Sequence, residues 1–407
     1  MLKTNFSHYR SFFVTGSIFL ILFQIVVVGL GLSGGLAGRA DFRSFYASGY
    51  LLRSGHAYQL YDYNQTTATE KEVIGNEGAN LPSIHPAYEA LLFAALSVAS
   101  YKRAYWLYFC LNLVLVFVAI RMLQPAPDWM REVHAGFPAL AAAGFLPVGI
   151  CLIQGQDSIL FFLIIVGVYA LQRKNRDLAA GMLLGLGMFR FQLVIPLVVC
   201  LCFARRWKLI AGFAVTCIGV VAISIVITEP APWTTYPRHL IAMNSGLQTS
   251  SARLAHAIYP EKMPNLRGLI YLLLGARVSS VIPQALTALL SALLLGWAII
   301  RRLPFELLVV VAVLVSYHGA IHDSVLLLLP LMACCMPLSD PGFGKRLTMW
   351  ILLLSSPVLV FVLNLPFAVL CLVYLAFLIV IALLEYMFAE MEHIAQVAFV
   401  GKTNPYK

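Results

Sequence analysis

Asp41 opens the stretch ADFRSFYASGYLLRSGHAYQLYD (residues 40–62), directly after an apolar run from Phe12 to about Ser33. Two readings of this carboxylate are compatible. It can cap the helix that Phe42, Phe45, Tyr46 and Gly49 predict by their spacing. It can also serve as a general base, an ionised oxygen held beside a substrate hydroxyl. Further along, IQGQDS (153–158) offers Gln154 and Gln156, amides suited to sugar hydroxyls or to helix ends. Its Asp157 is either a second cavity carboxylate or the N-cap of the helix starting at Ser158. SYHGAIHDS (316–324) offers His318, His322 and Asp323. His322 and Asp323 read as a hydrogen-bonded pair at a helix end. His318 and His322, four apart on one helical face, have the spacing to share a divalent ion, but no third ligand is in register and no metal or other cofactor is expected. Tyr46, Tyr61, Tyr88, Trp233 and Tyr236 stand where a sugar or a lipid headgroup can stack, and equally where a membrane-interface belt would put them.

The elements that must position these groups belong to a membrane protein. Hydrophobic residues make up 61% of the 407 and charged residues only 11%, less than half of what a water-soluble surface usually carries. Apolar runs near 12–33, 104–123, 136–152, 157–171, 178–190, 192–204, 209–227, 281–300, 306–320, 323–338, 347–363 and 366–389 predict an all-α polytopic bundle of about twelve spans. The first run is too long for a secretory signal core and is read as a retained helix. The net charge of +10 lies mostly in short loops between spans, where topology accounts for it, so no nucleic-acid partner is expected. The eight cysteines lie in apolar runs, as buried thiols would, without zinc-ligand spacing.

One short run, PAYEALLFAALSVA (86–99), decides the threading. If it crosses, the basic loops QRKNRD (172–177), ARRWK (204–208) and IIRRL (299–303) fall outside, against the positive-inside bias. If it lies in the interface or re-enters, those loops, GKR (344–346) and both termini are cytoplasmic. The second threading is preferred. It places the unusual polar segments on the extracytoplasmic face of a multi-pass plasma-membrane protein: a first loop over 34–103 with interfacial or re-entrant helices, 153–158, 189–192, a second large loop over 228–267, and 316–324. Polar groups at such depth call for one shared wet cavity. No internal repeat appears, so residues 1–407 form a single domain.

The ordered motifs resemble those of glycosyltransferase family 87. Asp41, Phe42, Phe45, Tyr46, Gly49, Gly55, Leu60, Tyr61 and Asp62 follow its first-loop pattern, with Ser48 in place of an alanine. IHPAYEALLF (84–93), with His85-Pro86 for a Tyr-Pro step, is similar to its next element, and IQGQDS, MPNLRGL (263–269) and SYHGAIHDSVLLLLPL (316–331) to later ones. Two departures stand out: Arg190-Phe191-Gln192 where relatives often carry Lys-Pro, and Tyr317 where they often carry proline.

The resemblance implies a fold of the GT-C type and an inverting transfer on the outer membrane face. A polyprenyl-phosphate donor would give mannose or a pentose such as arabinofuranose to a hydroxyl of a glycolipid or envelope glycan, with Asp41 as the base. The leaving phosphate needs cations or donors; Arg190, Arg267 and His322 are the first candidates, followed by His318, Arg238 and Arg253, each arginine having headgroup snorkelling as its plainer use. Tyr46, Tyr61, Asp62, His85, Gln156, Asp157, Gln192, Asn265, His318 and Asp323 are the further substrate contacts expected. The competing reading, a lipid or sugar transporter or flippase, would favour ionisable groups at the midplane and paired broken helices.

Overall fold

The computed structural model describes residues 2–75, 81, 83, 85–123, 130, 136–228, 230, 232–238, 259–275, 277–333 and 343–402, and Arg253 lies outside them. The described chain is helical, without strands. In order, the helices are α1 (Leu2–Leu36), α2 (Phe42–Arg53), α3 (Tyr63–Ile74), α4 (Ala90–Leu96), α5 (Tyr101–Met122), α6 (Phe137–Gly144), α7 (Leu146–Gln154), α8 (Ser158–Arg173) and α9 (Asp177–Leu186). They continue as α10 (Phe191–Phe203), α11 (Trp207–Thr228), α12 (Leu266–Leu274), α13 (Val281–Ile300), α14 (Phe305–Val315), α15 (Leu328–Ala333), α16 (Phe343–Val362) and α17 (Leu370–Lys402).

Among the described residues, seven stretches have the length and apolar character to cross a bilayer, or eight if α6 and α7, bent by 58°, count as one. This is fewer than the twelve apolar runs suggest, and the reason is geometric. At about 1.5 Å per residue, α8 is about 24 Å long, α9 about 15 Å and α14 about 16 Å, against a hydrocarbon layer of about 30 Å. Residues 177–203 pass as one span by composition, yet Arg206 Nη2 reaches Asp177 Oδ1 at 2.6 Å. The chain therefore doubles back at the 3-10 turn Gly187–Arg190, and α9 and α10 form a V whose tip stops partway across. α11, starting beside α9, runs parallel to it. The 86–99 run is likewise short: a 3-10 turn and the seven-residue α4.

The basic loops gather at one end. Asp177 pairs with Arg206, Arg346 Nη1 with Glu385 Oε1 at 3.8 Å, Arg301 lies over the Tyr386 ring, and Glu306 feels the charge of Arg173. Of the half-length helices, α9 and α14 start from this end and finish at the cavity, while α8 starts at the cavity and finishes here.

The first loop departs from its expected setting. The aromatic face of α2 does not lie among lipid headgroups; Phe42, Phe45 and Tyr46 are buried in protein. Phe45 stacks on Phe93 of α4 at 4.7 Å, and Phe42 packs against Tyr105 and Tyr108 of α5 at 5.7 and 5.4 Å. Burying three large rings against α4 and α5 stabilises α2 more than an interfacial berth would.

The α9–α11 crossing depends on backbone contact. A Cβ on Gly181 would run into the Leu209 carbonyl, and one on Gly212 into that of Leu178, whereas Gly219 on α11 faces open space. Gly181→Ala or Gly212→Ala is expected to cost roughly 1–3 kcal/mol, as overpacking does. Gly219→Ala should cost nothing. Thermal midpoints of the three variants in detergent check this.

Candidate functional site

A cavity of about 320 Å³ is lined by Asp41, His85, Gln154, Gln156, Arg190, His318 and His322, together with Tyr259 and Lys262. Its polar residues come from six separate segments of the chain. Asp41 stands between α1 and α2, where Tyr101 Oη donates to Gly35 O at 2.9 Å and Arg43 Nη1 to Gly38 O at 3.4 Å, tying down the connecting turn. The turn at Gly155, in the left-handed region at φ 60°, ends α7 so that Gln156 faces the cavity and Asp157 turns to buried partners behind it.

Asp41 occupies the cap position of α2, but its side chain caps nothing. Its Oδ2 instead accepts a 2.5 Å hydrogen bond from Gln156 Nε2, and its backbone N–H donates to Gln154 Oε1 at 3.1 Å. Arg190 Nη2 donates to Gln156 Oε1 at 2.8 Å. With its carbonyl oxygen taken by a guanidinium, the Gln156 amide can present only N–H to Asp41, so its orientation is set. Asp157 does not cap α8 either; it is fully buried and pairs with Arg190 Nη2. Asp323 Oδ1 takes Arg190 Nη1 at 3.2 Å and the Ser158 hydroxyl at 2.8 Å, while Oδ2 accepts the Ala320 N–H at 3.0 Å. One buried guanidinium thus joins two carboxylates and one amide, the pairing that buried charge requires.

The late histidines differ from their expected arrangement. His318 lies in the turn before the 3-10 helix Ile321–Leu327, so it shares no helical face with His322, although both line the cavity. His322 Nε2 stands 3.9 Å from Asp323 Oδ1, beyond hydrogen-bond reach, because Asp323 turns to Arg190. Burial, with Arg267 adding to it, lowers the His318 imidazole to about 3, so it enters the cavity uncharged. Arg267 does not line the cavity: its Nη1 donates to Tyr317 O at 2.8 Å and its guanidinium lies 3.9 Å over the Tyr317 ring. Asn265 Nδ2 donates to Ser316 O at 2.9 Å while its Oδ1 caps α12 through Gly268 N. Together these two residues clamp the turn that presents His318.

The other expected contacts are spread more widely. Asp62 caps α3 through Asn64 N and Gln65 N, and Tyr46 Oη donates to Ala99 O at 2.8 Å. Tyr61 Oη donates to His85 O at 3.0 Å and its ring meets Tyr236, which steadies the segment carrying His85. Trp233 Nε1 donates to Thr228 Oγ1, Tyr88 lines an apolar groove, and Gln192 and Arg238 stand apart from the cavity lining.

Two residues escaped the sequence reading. Lys262 is exposed at the cavity beside the Tyr259 ring, at 4.6 Å, with no ion pair among the described residues. Glu89 is buried, with Oε2 2.7 Å from His85 Nδ1. Burial lowers the His85 imidazole to about 4, and burial beside Asp157 pushes the Glu89 carboxyl well up. The i,i+4 spacing of His85 and Glu89 was the available signal for the second; nothing local marked the first.

The family model of glycosyltransferase family 87 matches residues 84–330, more than half of the chain. The chain belongs to glycosyltransferase family 87. No curated protein and no solved structure matches it significantly. This family-87 chain is a multi-pass membrane glycosyltransferase, and the family match includes His85, Gln156, Arg190, Lys262, His318 and His322. It begins after Asp41.

The first loop carries its own titrating contact. Glu70 of α3 lies 3.7 Å from Arg43 of α2, and burial pushes its carboxyl up to about 7 against the pull of Arg43. A folded value above the unfolded one means stability is full at acidic pH and is lost as pH rises through about 7. Glu70→Gln keeps the shape without titrating. It is expected to raise the thermal midpoint at about pH 8, leave it nearly unchanged at about pH 5, and flatten the profile between them.

Proposed function

We propose that this glycosyltransferase moves a sugar from a polyprenyl-phosphate donor to a hydroxyl of a glycolipid or envelope glycan, with inversion, at the extracytoplasmic face of the plasma membrane. The sugar is mannose or a pentose such as arabinofuranose. The observation that carries this reading is the Asp41 carboxylate, held through Oδ2 by an amide of fixed orientation while lining the cavity. Oδ1 then takes the acceptor proton as the acceptor oxygen attacks the anomeric carbon and the bond to the phosphate oxygen breaks. Phosphate leaves as an anion, so a single carboxylate suffices where a glycosidase needs two.

Cations and donors for that phosphate stand across the cavity. Lys262 brings an ammonium with no ion pair among the described residues, Arg190 a guanidinium edge, and His318 and His322 neutral ring donors. Arg267 acts through the 316–320 turn that it clamps. The apolar groove lined by Leu92, Val118, Leu160, Leu183 and Phe189 suits a polyprenyl chain. The basic end of the bundle faces the cytoplasm in this reading, with both termini.

Transfer from labelled polyprenyl-phosphate sugars into membrane lipid tests the assignment. Asp41→Asn is expected to fold and to lose roughly 10²–10⁴-fold in turnover, the usual worth of a general base. Equal transfer by both proteins would remove Asp41 from the reaction. Lys262→Ala is expected to raise the KM for donor by about tenfold with a smaller effect on kcat, since a charge-assisted phosphate contact made in the ground state is lost.

A further inference from the structure

Beside the Asp41 cavity lies a second cluster that the transfer reaction does not use. His85, Glu89 and Asp157 bring one ligand atom each to within 4.8 Å of one another. His85 Nδ1, both Glu89 oxygens and Asp157 Oδ2 are buried, with no donor of another residue on them among the described residues, although Glu89 and Asp157 stand close enough to share a proton. Orphaned acceptors cost free energy wherever they are buried, and here four of them converge. His85 Nδ1 and Glu89 Oε2 stand 2.7 Å apart, yet the pair lacks hydrogen-bond geometry. Asp157 is divided between two duties: Oδ1 meets Arg190, and Oδ2 points into the cluster.

We infer that His85, Glu89 and Asp157 form a binding site for a divalent transition-metal ion. A single shared proton would join two of these atoms and leave the others unpaired; a divalent cation at ordinary bond lengths of about 2.0–2.2 Å engages one atom from each residue. One imidazole with two carboxylates suits Mn²⁺, Fe²⁺ or Zn²⁺ better than Ca²⁺ or Mg²⁺, which prefer all-oxygen shells. The ligands come from two places in the fold. Pro86 and the turn Ala87–Glu89 set the His85–Glu89 pair on one side, and the link between α7 and α8 presents Asp157 on the other. The ion staples the entry to α4 onto that link. It stands at the wall of the cavity, which His85 also lines, and it offsets formal negative charge that Arg190 alone does not balance.

The inference is independent of the proposed transfer and is read without turnover. Full-length protein in detergent, stripped with a chelator and titrated with Mn²⁺, is followed by electron paramagnetic resonance. Wild type is expected to bind about one Mn²⁺ per chain and to show nitrogen coupling from one imidazole. Glu89→Gln should weaken binding by at least about tenfold, His85→Ala should remove the nitrogen coupling, and Asp41→Asn should bind as wild type does. Absence of Mn²⁺ binding by folded wild type would overturn the site in favour of a shared proton. Nitrogen coupling that survives His85→Ala would overturn it in favour of a different ligand set. The wild-type spectrum alone decides if either ligand variant fails to fold.

Discussion

Arg190 is the constraint on which the rest of the site depends. A guanidinium that is 2% exposed inside an apolar bundle is costly unless its charge is met on several sides. Asp157 and Asp323 meet it with charge, Gln156 with a carbonyl oxygen. Those three partners come from the α7–α8 link and the turn before α15, while Arg190 itself sits at the tip of the α9–α10 V. Removing it would leave two buried carboxylates facing each other and free the Gln156 amide to rotate, so Asp41 would lose its fixed neighbour. The interaction therefore joins the bundle's half-length helices to the placement of a carboxylate on another element.

The depth of the site follows from helix length. α8, α9 and α14 are too short to cross, and the start of α8 with the link before it, and the ends of α9 and α14 with the turns after them, form the floor of a polar recess. Backbone polar groups at such depth survive only where protein or a wet cavity satisfies them. The recess meets that condition with side chains: Asp323 on the Ala320 N–H, Asn265 on Ser316 O, Arg267 on Tyr317 O. Over the recess, the first loop works as a lid fixed by aromatic packing, with Phe42 at the centre of Phe93, Tyr101, Tyr105 and Tyr108. A base on a rigidly packed helix keeps its geometry better than one on a headgroup-level helix free to shift with the lipid.

The polar residues of the site were legible because charge is scarce in this chain: Asp41, Gln156, Asp157, Arg190, His322 and Asp323 each interrupt apolar sequence, and interruption is costly without a reason. Their pairings were not legible. Asp41 and Asp157 both looked like helix caps by position, and both occupy cap positions without capping, since Gln156 and Arg190 compete successfully for their oxygens. Arg267 looked like a phosphate ligand and instead holds a loop. Glu89 was read only as an obstacle to a short run crossing the bilayer.

The sequence by itself determined the solvent, the helical class, the family and the side of the bundle that collects basic loops. Each of these is written in composition, run length or motif order, properties that need no knowledge of contacts. Only the tertiary structure decided which apolar runs stay long helices and which break short or double back, because run 177–203 reads as a single span until Asp177 and Arg206 are seen side by side. It also decided that Lys262 reaches the cavity, that Glu89 meets His85 and Asp157, and that α2 buries its rings in protein. Those outcomes depend on residues far apart in the chain competing for the same partner, and no local spacing records which competitor wins.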